Sequence, residues 1–378
     1  MKTYKKGILP IGFKASGISC GLKRSGRADL ALFFSEKPAL ASCVFTTNAI
    51  LAAPVILSKA HLKNNNRFQA IIANSANANC FNAKSGLKDA GETARVLAKA
   101  LGLKKGSVLV ASTGIIGKRL PVMKIKRGIP KVVKKLSSQG IAKAAKAIMT
   151  TDTFAKIFSV KFNAGAQEIT VCGVAKGAGM IAPHMATLLS FIFTDAQISR
   201  RALNKALKAA VDASFNSITI DGCMSTNDSV MLLANAKAGN PLINQGKNLS
   251  LFTRALSLVC LELAKMIVRD AEGASKFIKI SVKSARDQKT AKAVALSIAN
   301  SNLFKTAVYG QNPNFGRIAS AVGSSGAGIK EKDLKIKVSS LKKKDIDVEI
   351  SLNQGSSGAV VYTSDLTPEY IKINAEYN

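Results

Sequence analysis

The chain has 378 residues, 47% of them hydrophobic, with 55 Lys and Arg against 22 Asp and Glu and a formal net charge of +33. That length and apolar content exclude a disordered chain and allow one large domain or two to three ordinary ones. No apolar run reaches the roughly 18 residues of a membrane span, and the lysine-rich start at Met1 leads into no signal-peptide core, so a cytoplasmic protein with no membrane partner is expected. The basic residues are spread along the chain, with denser groups at Lys124 to Arg127, Lys131 to Lys135 and Lys342 to Lys344. No helix-turn-helix, zinc-finger or RNP-type signature accompanies them, and Trp is absent, which argues for a solvated basic surface over a nucleic-acid interface. Six scattered cysteines and only His61 and His184 offer no zinc spacing and no disulfide framework.

In chain order, Leu30 to Phe34 and Cys43 to Thr47 are short β-prone runs. Gln69 to Ser75 reads as a buried strand that ends in the small polar loop Asn74 to Asn79. Lys88 to Leu101 has its apolar residues on one helical face, with Gly102 just past its end. Ser107 to Ser112 reads as a strand running into Thr113-Gly-Ile-Ile-Gly117, and residues 129 to 149 as a helix interrupted near Ser137 to Gly140. Glu168 to Cys172 is a strand feeding a glycine-rich segment that carries Lys176, and Leu188 to Thr194 is a buried strand. Ser199 is a plausible N-cap for a helix over 200–213. Strands at Ser217 to Ile220 and Val230 to Ala234 flank a loop bounded by Asp221 and Asp228. Helices are expected near 250–269 and 287–301. Alternating strands follow at Lys335 to Ser339, Asp347 to Leu352, Ala359 to Tyr362 and Tyr370 to Asn374, suited to antiparallel pairing. Asn240 to Gly246 and 323–345 read as loops. The mixture predicts an α+β architecture, a layered αββα sandwich with a smaller C-terminal α/β lobe, in preference to a doubly wound parallel sheet.

The chemistry concentrates on Thr187, at the start of an apolar run. If the bond Ala186–Thr187 is cut, the threonine gains a free amine beside its own hydroxyl, one of the few ways a threonine becomes a nucleophile near neutral pH. Its branched Cβ restricts χ1, so the hydroxyl is aimed at little entropic cost. Thr113-Gly114 follows a strand, and a glycine there lets backbone N–H groups approach an oxyanion closely. Each feature also has a plain structural reading: Ala-Thr as a strand start, Thr-Gly as a turn, Glu272 before Gly273 as a helix end, and Asp221 and Asp228 as loop-capping carboxylates. Lys176 sits among glycines without the Walker spacing.

Several blocks in fixed order then carry a resemblance over essentially the whole chain. They are Val44-Phe-Thr-Thr-Asn48, Ala73-Asn-Ser-Ala-Asn-Ala-Asn79, Ala111-Ser-Thr-Gly-Ile-Ile-Gly117, Ile148-Met-Thr-Thr-Asp-Thr153, Ala175-Lys-Gly-Ala-Gly-Met-Ile-Ala-Pro183 with Met185-Ala-Thr187, Ser225-Thr-Asn-Asp228, Glu272-Gly-Ala274, Pro313-Asn-Phe-Gly-Arg317 and Ile373-Asn-Ala-Glu-Tyr377. The chain resembles the ornithine acetyltransferase family, the glutamate N-acetyltransferases of arginine biosynthesis. The resemblance implies self-cleavage at Ala186–Thr187 into an α chain, 1–186, and a β chain, 187–378, assembled as an α2β2 heterotetramer. It implies a ping-pong reaction in which Thr187 takes the acetyl group of N2-acetylornithine and passes it to glutamate. Thr113 and Gly114 match the oxyanion-hole pair, and Thr150, Lys176, Thr187, Glu272 and Asn374 match substrate contacts. No metal or organic cofactor is implied; some members also use acetyl-CoA as co-substrate, and no residue here separates the two types. The chain departs from the family pattern at His184, Asn312 and Phe315. An amidase or aminopeptidase with the same N-terminal nucleophile is the alternative, and it would release acyl groups to water.

Overall fold

The computed structural model of the protein describes residues 1–104, 106–182 and 188–376. Counting these, the chain divides into two compact units, one drawn from 1–177, 184–216 and 224–263, the other from 178–183, 217–223 and 264–378.

The first unit is built on β1 (Lys2–Tyr4), β2 (Phe13–Ile18), β3 (Leu30–Phe45), β4 (Phe68–Asn74), β5 (Val108–Ser112), β6 (Lys156–Ala164), β7 (Gln167–Lys176), β8 (Leu189–Thr194) and β9 (Ser229–Ala234). They run in the order β1-β6-β7-β8-β9-β3-β4-β5, with β2 also on β3. The strand β3 serves twice. Its first residues, Leu30 to Phe34, pair antiparallel with β2 and β4; its last, Leu40 to Phe45, pair antiparallel with β9. The β3–β4 register shifts between Phe34 and Ala39, a stretch containing Pro38, which has no N–H to give a ladder. The two short β-prone runs are therefore one strand bent in the middle. The bend lets two sheets face each other: the Phe33 ring lies 5.1 Å from those of Phe191 and Phe193, and Phe13 lies 5.2 Å from Phe193. Alternation along β8 sends Leu189, Phe191 and Phe193 into this shared core, together with Cys172, Val174, Met231 and Leu233.

Helices cover the outer faces. On one side, α2 (Ala83–Ala100) and α3 (Val122–Lys134) bury Ala94, Leu97, Ile125, Ile129 and Val132 against Leu32, Ile72, Val108 and Val110. There α1 (Ala53–Asn64) is tied to β5 through Ser58, whose Oγ donates to Val110 O at 2.8 Å and accepts from Val110 N–H at 2.9 Å. On the other side, α6 (Gly246–Arg269) runs so close to β7 that a Cβ at Gly173 would lie 2.8 Å from both Val259 and Leu263. The helix α4 (Ile141–Ile148) adds Ile141, Ala144, Ala145 and Ile148 to the central core. The helix α5 (Arg200–Asp212) is capped by Ser199, as its sequence predicts. Helix, sheet, sheet, helix is the layered αββα arrangement expected from the sequence.

The second unit is the smaller α/β lobe. Its sheet has the order β11 (Lys335–Val338), β12 (Asp345–Ser351), β10 (Phe277–Ala285), β13 (Ser357–Ser364). Behind it lie α7 (Gln288–Ala299), α8 (Asn302–Tyr309) and α9 (Phe315–Gly323), sharing a core of Ile278, Ile280, Val294, Ile298, Phe304, Ile318 and Val348. Four local expectations are corrected. The central pair β10–β12 is parallel, since a helical crossover joins them, while the flanking pairs are antiparallel. Residues 323–345 are not loop throughout, since β11 falls where a strand at Lys335 to Ser339 is expected. Ser217 to Ile220 forms only one isolated bridge, Ile218 to Tyr362. Tyr370 to Asn374 lies in α10 (Pro368–Ala375), because Thr367 caps its start by accepting from Tyr370 N–H and Pro368 occupies the first turn.

Candidate functional site

Ala186 and Thr187, the expected scissile pair, lie outside the described residues, as does His184. The other expected site residues fall into two groups, one in each unit.

In the first unit, β5 ends at Ser112 and the chain turns at Thr113. Thr113 N–H donates to Asn74 O at 3.0 Å, and the turn zips to the neighbouring loop through Ile115 N to Ala76 O and Ala78 N to Ile115 O. Gly114 has φ +128, and a Cβ there would lie within 2.5 Å of Asn77 N. Only glycine fits, and the backbone is held rigidly for that reason. Asn227 fastens the arrangement from a third segment, donating to Ala78 O at 2.7 Å and Ser112 O at 2.8 Å. Lys176, the last residue of β7, is buried and places its Nζ 3.3 Å from Thr113 Oγ1. It pairs with Leu189 of β8, two residues beyond the expected nucleophile.

Thr150 is held by a residue that the sequence reading did not single out. Asp152 accepts from Thr150 N–H at 2.9 Å, from Gly177 N–H at 2.7 Å and from Lys156 Nζ at 2.7 Å. Both members of the ion pair are fully buried. Burial alone would push the Asp152 carboxyl up, but Lys176, Lys156 and the Gly177 N–H outweigh it and hold the group well below the usual carboxylate range. One buried carboxylate beside two lysines leaves a positive field, which favours an oxyanion or a carboxylate arriving next to Thr113. Lys23, also missed, donates to Ala28 O at 2.7 Å and to Met149 O at 2.8 Å, beside Thr150. Burial first, then Arg27, lowers it to about 8. The only signal for Asp152 was its place in the Thr-Thr-Asp-Thr block; Thr150 and Lys156 lie two and four residues away in a stretch that forms no helix, and Gly177 is distant in sequence.

In the second unit, Glu272 and Asn374 are joined: Asn374 Nδ2 donates to Glu272 Oε2 at 2.9 Å and to Tyr370 O at 3.0 Å. The Glu272 carboxylate lies over Gly179, where any Cβ would collide with it, and Glu272 N–H donates to Ala178 O at 2.8 Å. Asp221 caps the neighbouring backbone, accepting from Met180 N–H at 2.6 Å, Ile181 N–H at 2.9 Å and Cys223 N–H at 3.1 Å. Burial and the Asp221 charge push the Tyr370 hydroxyl up, and that hydroxyl donates to Asp221 at 3.2 Å. So Thr113, Gly114, Thr150 and Lys176 are brought together in one unit, and Glu272 with Asn374 in the other.

The model of the ArgJ family matches residues 14–378. The chain belongs to the ArgJ family. Its relatives include the arginine biosynthesis bifunctional protein ArgJ of Geobacter sulfurreducens, 42% identical over 97% of this chain and 98% of that protein. The glutamate N-acetyltransferase of Methanocaldococcus jannaschii is 41% identical over 97% of both. Among solved structures, an ornithine acetyltransferase complexed with ornithine from Mycobacterium tuberculosis is 38% identical, covering 50% of this chain and 98% of that one, with a TM-score of 0.45. The family resemblance read from the sequence blocks is thereby borne out. No helix among the described residues is long and apolar enough to cross a membrane.

Proposed function

We propose that this chain is a self-processing, cytoplasmic acetyltransferase of arginine biosynthesis that moves the acetyl group of N2-acetylornithine to glutamate. The observation that carries acetyl transfer is membership of the ArgJ family over residues 14–378, with relatives named for it at 41–42% identity across nearly their whole length. In the cleavage step Thr187 Oγ attacks the Ala186 carbonyl, the amide nitrogen takes a proton and leaves as the Thr187 amine, and water hydrolyses the ester. The products are chains 1–186 and 187–378, in an α2β2 assembly.

In the transfer step the Thr187 amine takes the hydroxyl proton as Oγ attacks the acetyl carbonyl. The amide bond breaks, ornithine leaves with a proton on its nitrogen, and the glutamate amine then attacks the acetyl-threonine ester. Thr113 and the Gly114 N–H receive the oxyanion. Lys176 meets a substrate carboxylate, Glu272 and Asn374 the ornithine side-chain ammonium, and Thr150 a polar group of the bound amino acid. The 3.3 Å approach of Lys176 to Thr113 supports this assignment.

The test is an intact-mass spectrum under denaturing conditions, followed by transfer assays. The expected result is two pieces, the second starting at Thr187, and N-acetylglutamate formed from acetylornithine. Thr187→Ala should stay one chain and transfer nothing; transfer by that variant overturns the mechanism. Acetate released equally fast without glutamate would point to a hydrolase instead. Offering acetyl-CoA as donor reads whether the same threonine accepts a thioester.

A further inference from the structure

Four buried asparagines surround the turn at Thr113-Gly114, all within the first unit: Asn74, Asn77, Asn79 and Asn227. Asn74 Oδ1 accepts from Ser112 Oγ at 2.6 Å, while its Nδ2 donates to Asn77 O at 2.9 Å. Asn77 Oδ1 accepts from Asn79 N–H at 2.8 Å, and its Nδ2 donates to Lys118 O at 3.0 Å. Asn227 reaches in from the loop before β9. Its Nδ2 donates to carbonyls of two different segments, Ala78 O and Ser112 O, and its Oδ1 accepts from Thr226 Oγ1 at 2.7 Å. Two carbonyl oxygens can face only the nitrogen end of the amide, and the Thr226 hydroxyl fixes the oxygen end. The loop held in this way is strained. Ala76 has φ +78 and Asn79 φ +46, left-handed conformations that persist in non-glycine residues only where the surroundings enforce them. One amide is left over. Thr113 N–H and Ile115 N–H donate to Asn74 O and Ala76 O, and Gly117 N–H to Cys80 O, whereas Gly114 N–H donates to no atom of the described residues.

We infer that Asn227 is a positioning residue for acetyl transfer, tying the 74–79 loop to the end of β5 so that the free Gly114 N–H is held in one direction for an oxyanion. The inference rests on the proposed function above, in which Thr113 and Gly114 receive that oxyanion. Asn227 touches neither substrate nor reacting atoms in this assignment. The peptide that carries the Gly114 N–H lies between two anchored amides, and with the Ser112 and Ala78 carbonyls fixed as well it has little room to rotate. A donor fixed before the reaction needs no reorganisation as charge develops. The oxyanion of the transition state draws on such a donor more than the ground-state carbonyl does, so its loss belongs in kcat. Asn227 follows the proposed cut in sequence, whereas Ala78 and Ser112 precede it. The oxyanion turn of one chain would therefore be held by a side chain of the other.

The experiment is steady-state acetyl transfer by wild type, Asn227→Ala and Thr226→Val, with thermal melting of each and with ornithine binding by calorimetry to count folded sites. Ornithine carries no acetyl oxygen, so its affinity does not depend on the oxyanion donor. The expected result for Asn227→Ala is a kcat per ornithine-binding site lower on the order of 10–100-fold. KM for acetylornithine and Kd for ornithine should stay within about twofold of wild type. Thr226→Val, which removes only the hydroxyl fixing the Asn227 oxygen, should lower kcat in the same way by less. A role in stability alone would lower the melting midpoint and the number of sites and leave kcat per site unchanged. That outcome, or a raised KM at wild-type kcat, overturns this inference and leaves the proposed function standing. If Asn227→Ala yields no folded, cut enzyme, Thr226→Val decides: a lower kcat at unchanged ornithine affinity supports the inference, and a wild-type kcat overturns it. A wild type that transfers no acetyl group overturns the proposed function, and this inference with it.

Discussion

Asp152 shows how much one side chain can organise. It accepts from two backbone amides and a buried lysine, so Asp152→Asn would remove the carboxylate from the buried ion pair with Lys156. Breaking such a pair costs about 3–5 kcal/mol, and urea unfolding near neutral pH should show a loss of that order. The sign with pH follows from the depressed carboxyl. Its contribution is complete above the unfolded-state value of about 4 and is lost as pH falls from there towards the folded value. The gap between wild type and Asp152→Asn should therefore narrow on acidification below about pH 4. Lys305 has the same sign with pH, in a higher window, but here charging the buried group opposes folding instead of supporting it. Burial lowers it to about 8, partly offset by Asp221 and Asp365, so above that value the unfolded chain binds more protons than the folded one. Wild type should gain stability relative to Lys305→Met between about pH 8 and 10; a flat difference across that range would contradict the assignment. At Gly114, alanine must enter a left-handed position against Asn77 N, and acetyl transfer should fall at least tenfold.

At the scale of elements, local pattern gave most strands and helices but not the bends. The two β-prone runs around Pro38 were legible, yet nothing local says that they form one strand shared between two sheets; the partners of its ends, Asn74 and Ser229, are far apart in sequence. Alternation misled at Tyr370 to Asn374, where Thr367-Pro-Glu369 was the stronger signal, a cap followed by a helix start. The glycine-rich stretch was read for chemistry, but Gly173 has a packing role, making room for α6. Gly173→Val should cost about 1–3 kcal/mol by overpacking, seen as a lower urea midpoint with an unchanged m-value. The site was legible where sequence blocks carried it, as at Thr113 and Lys176. It was not legible at Asp152 or Lys23, whose roles arise from contacts made only after folding.

For the molecule as a whole, the charge of +33 is the outstanding term. The surface ion pairs, such as Lys14–Glu36 and Lys283–Glu349, are exposed or half-exposed and contribute little individually. Like-charge repulsion across the basic surface should dominate, so raising NaCl from about 20 to 300 mM should raise the melting midpoint as screening shortens from roughly 20 Å to 6 Å. A falling midpoint would mean that attractive pairs outweigh the repulsion.

The twice-used strand β3 has a consequence for how this protein can be remade. Its ladder joins residues of 1–186 to β9, and β7 likewise joins β8, so the backbone bonds of one sheet cross the proposed cut in two places. Synthesis delivers these strands tethered, and pairing is intramolecular. Once the tether is gone, a denatured sample must reassemble from two separate polypeptides, and its recovery becomes second order in protein. Thr187→Ala should refold at a rate independent of dilution, whereas the processed enzyme should refold more slowly with every dilution, measured by return of far-UV ellipticity. In that sense the proposed cut would spend the information that built the fold, and a processed enzyme would have to persist through slow unfolding instead of repeatable folding.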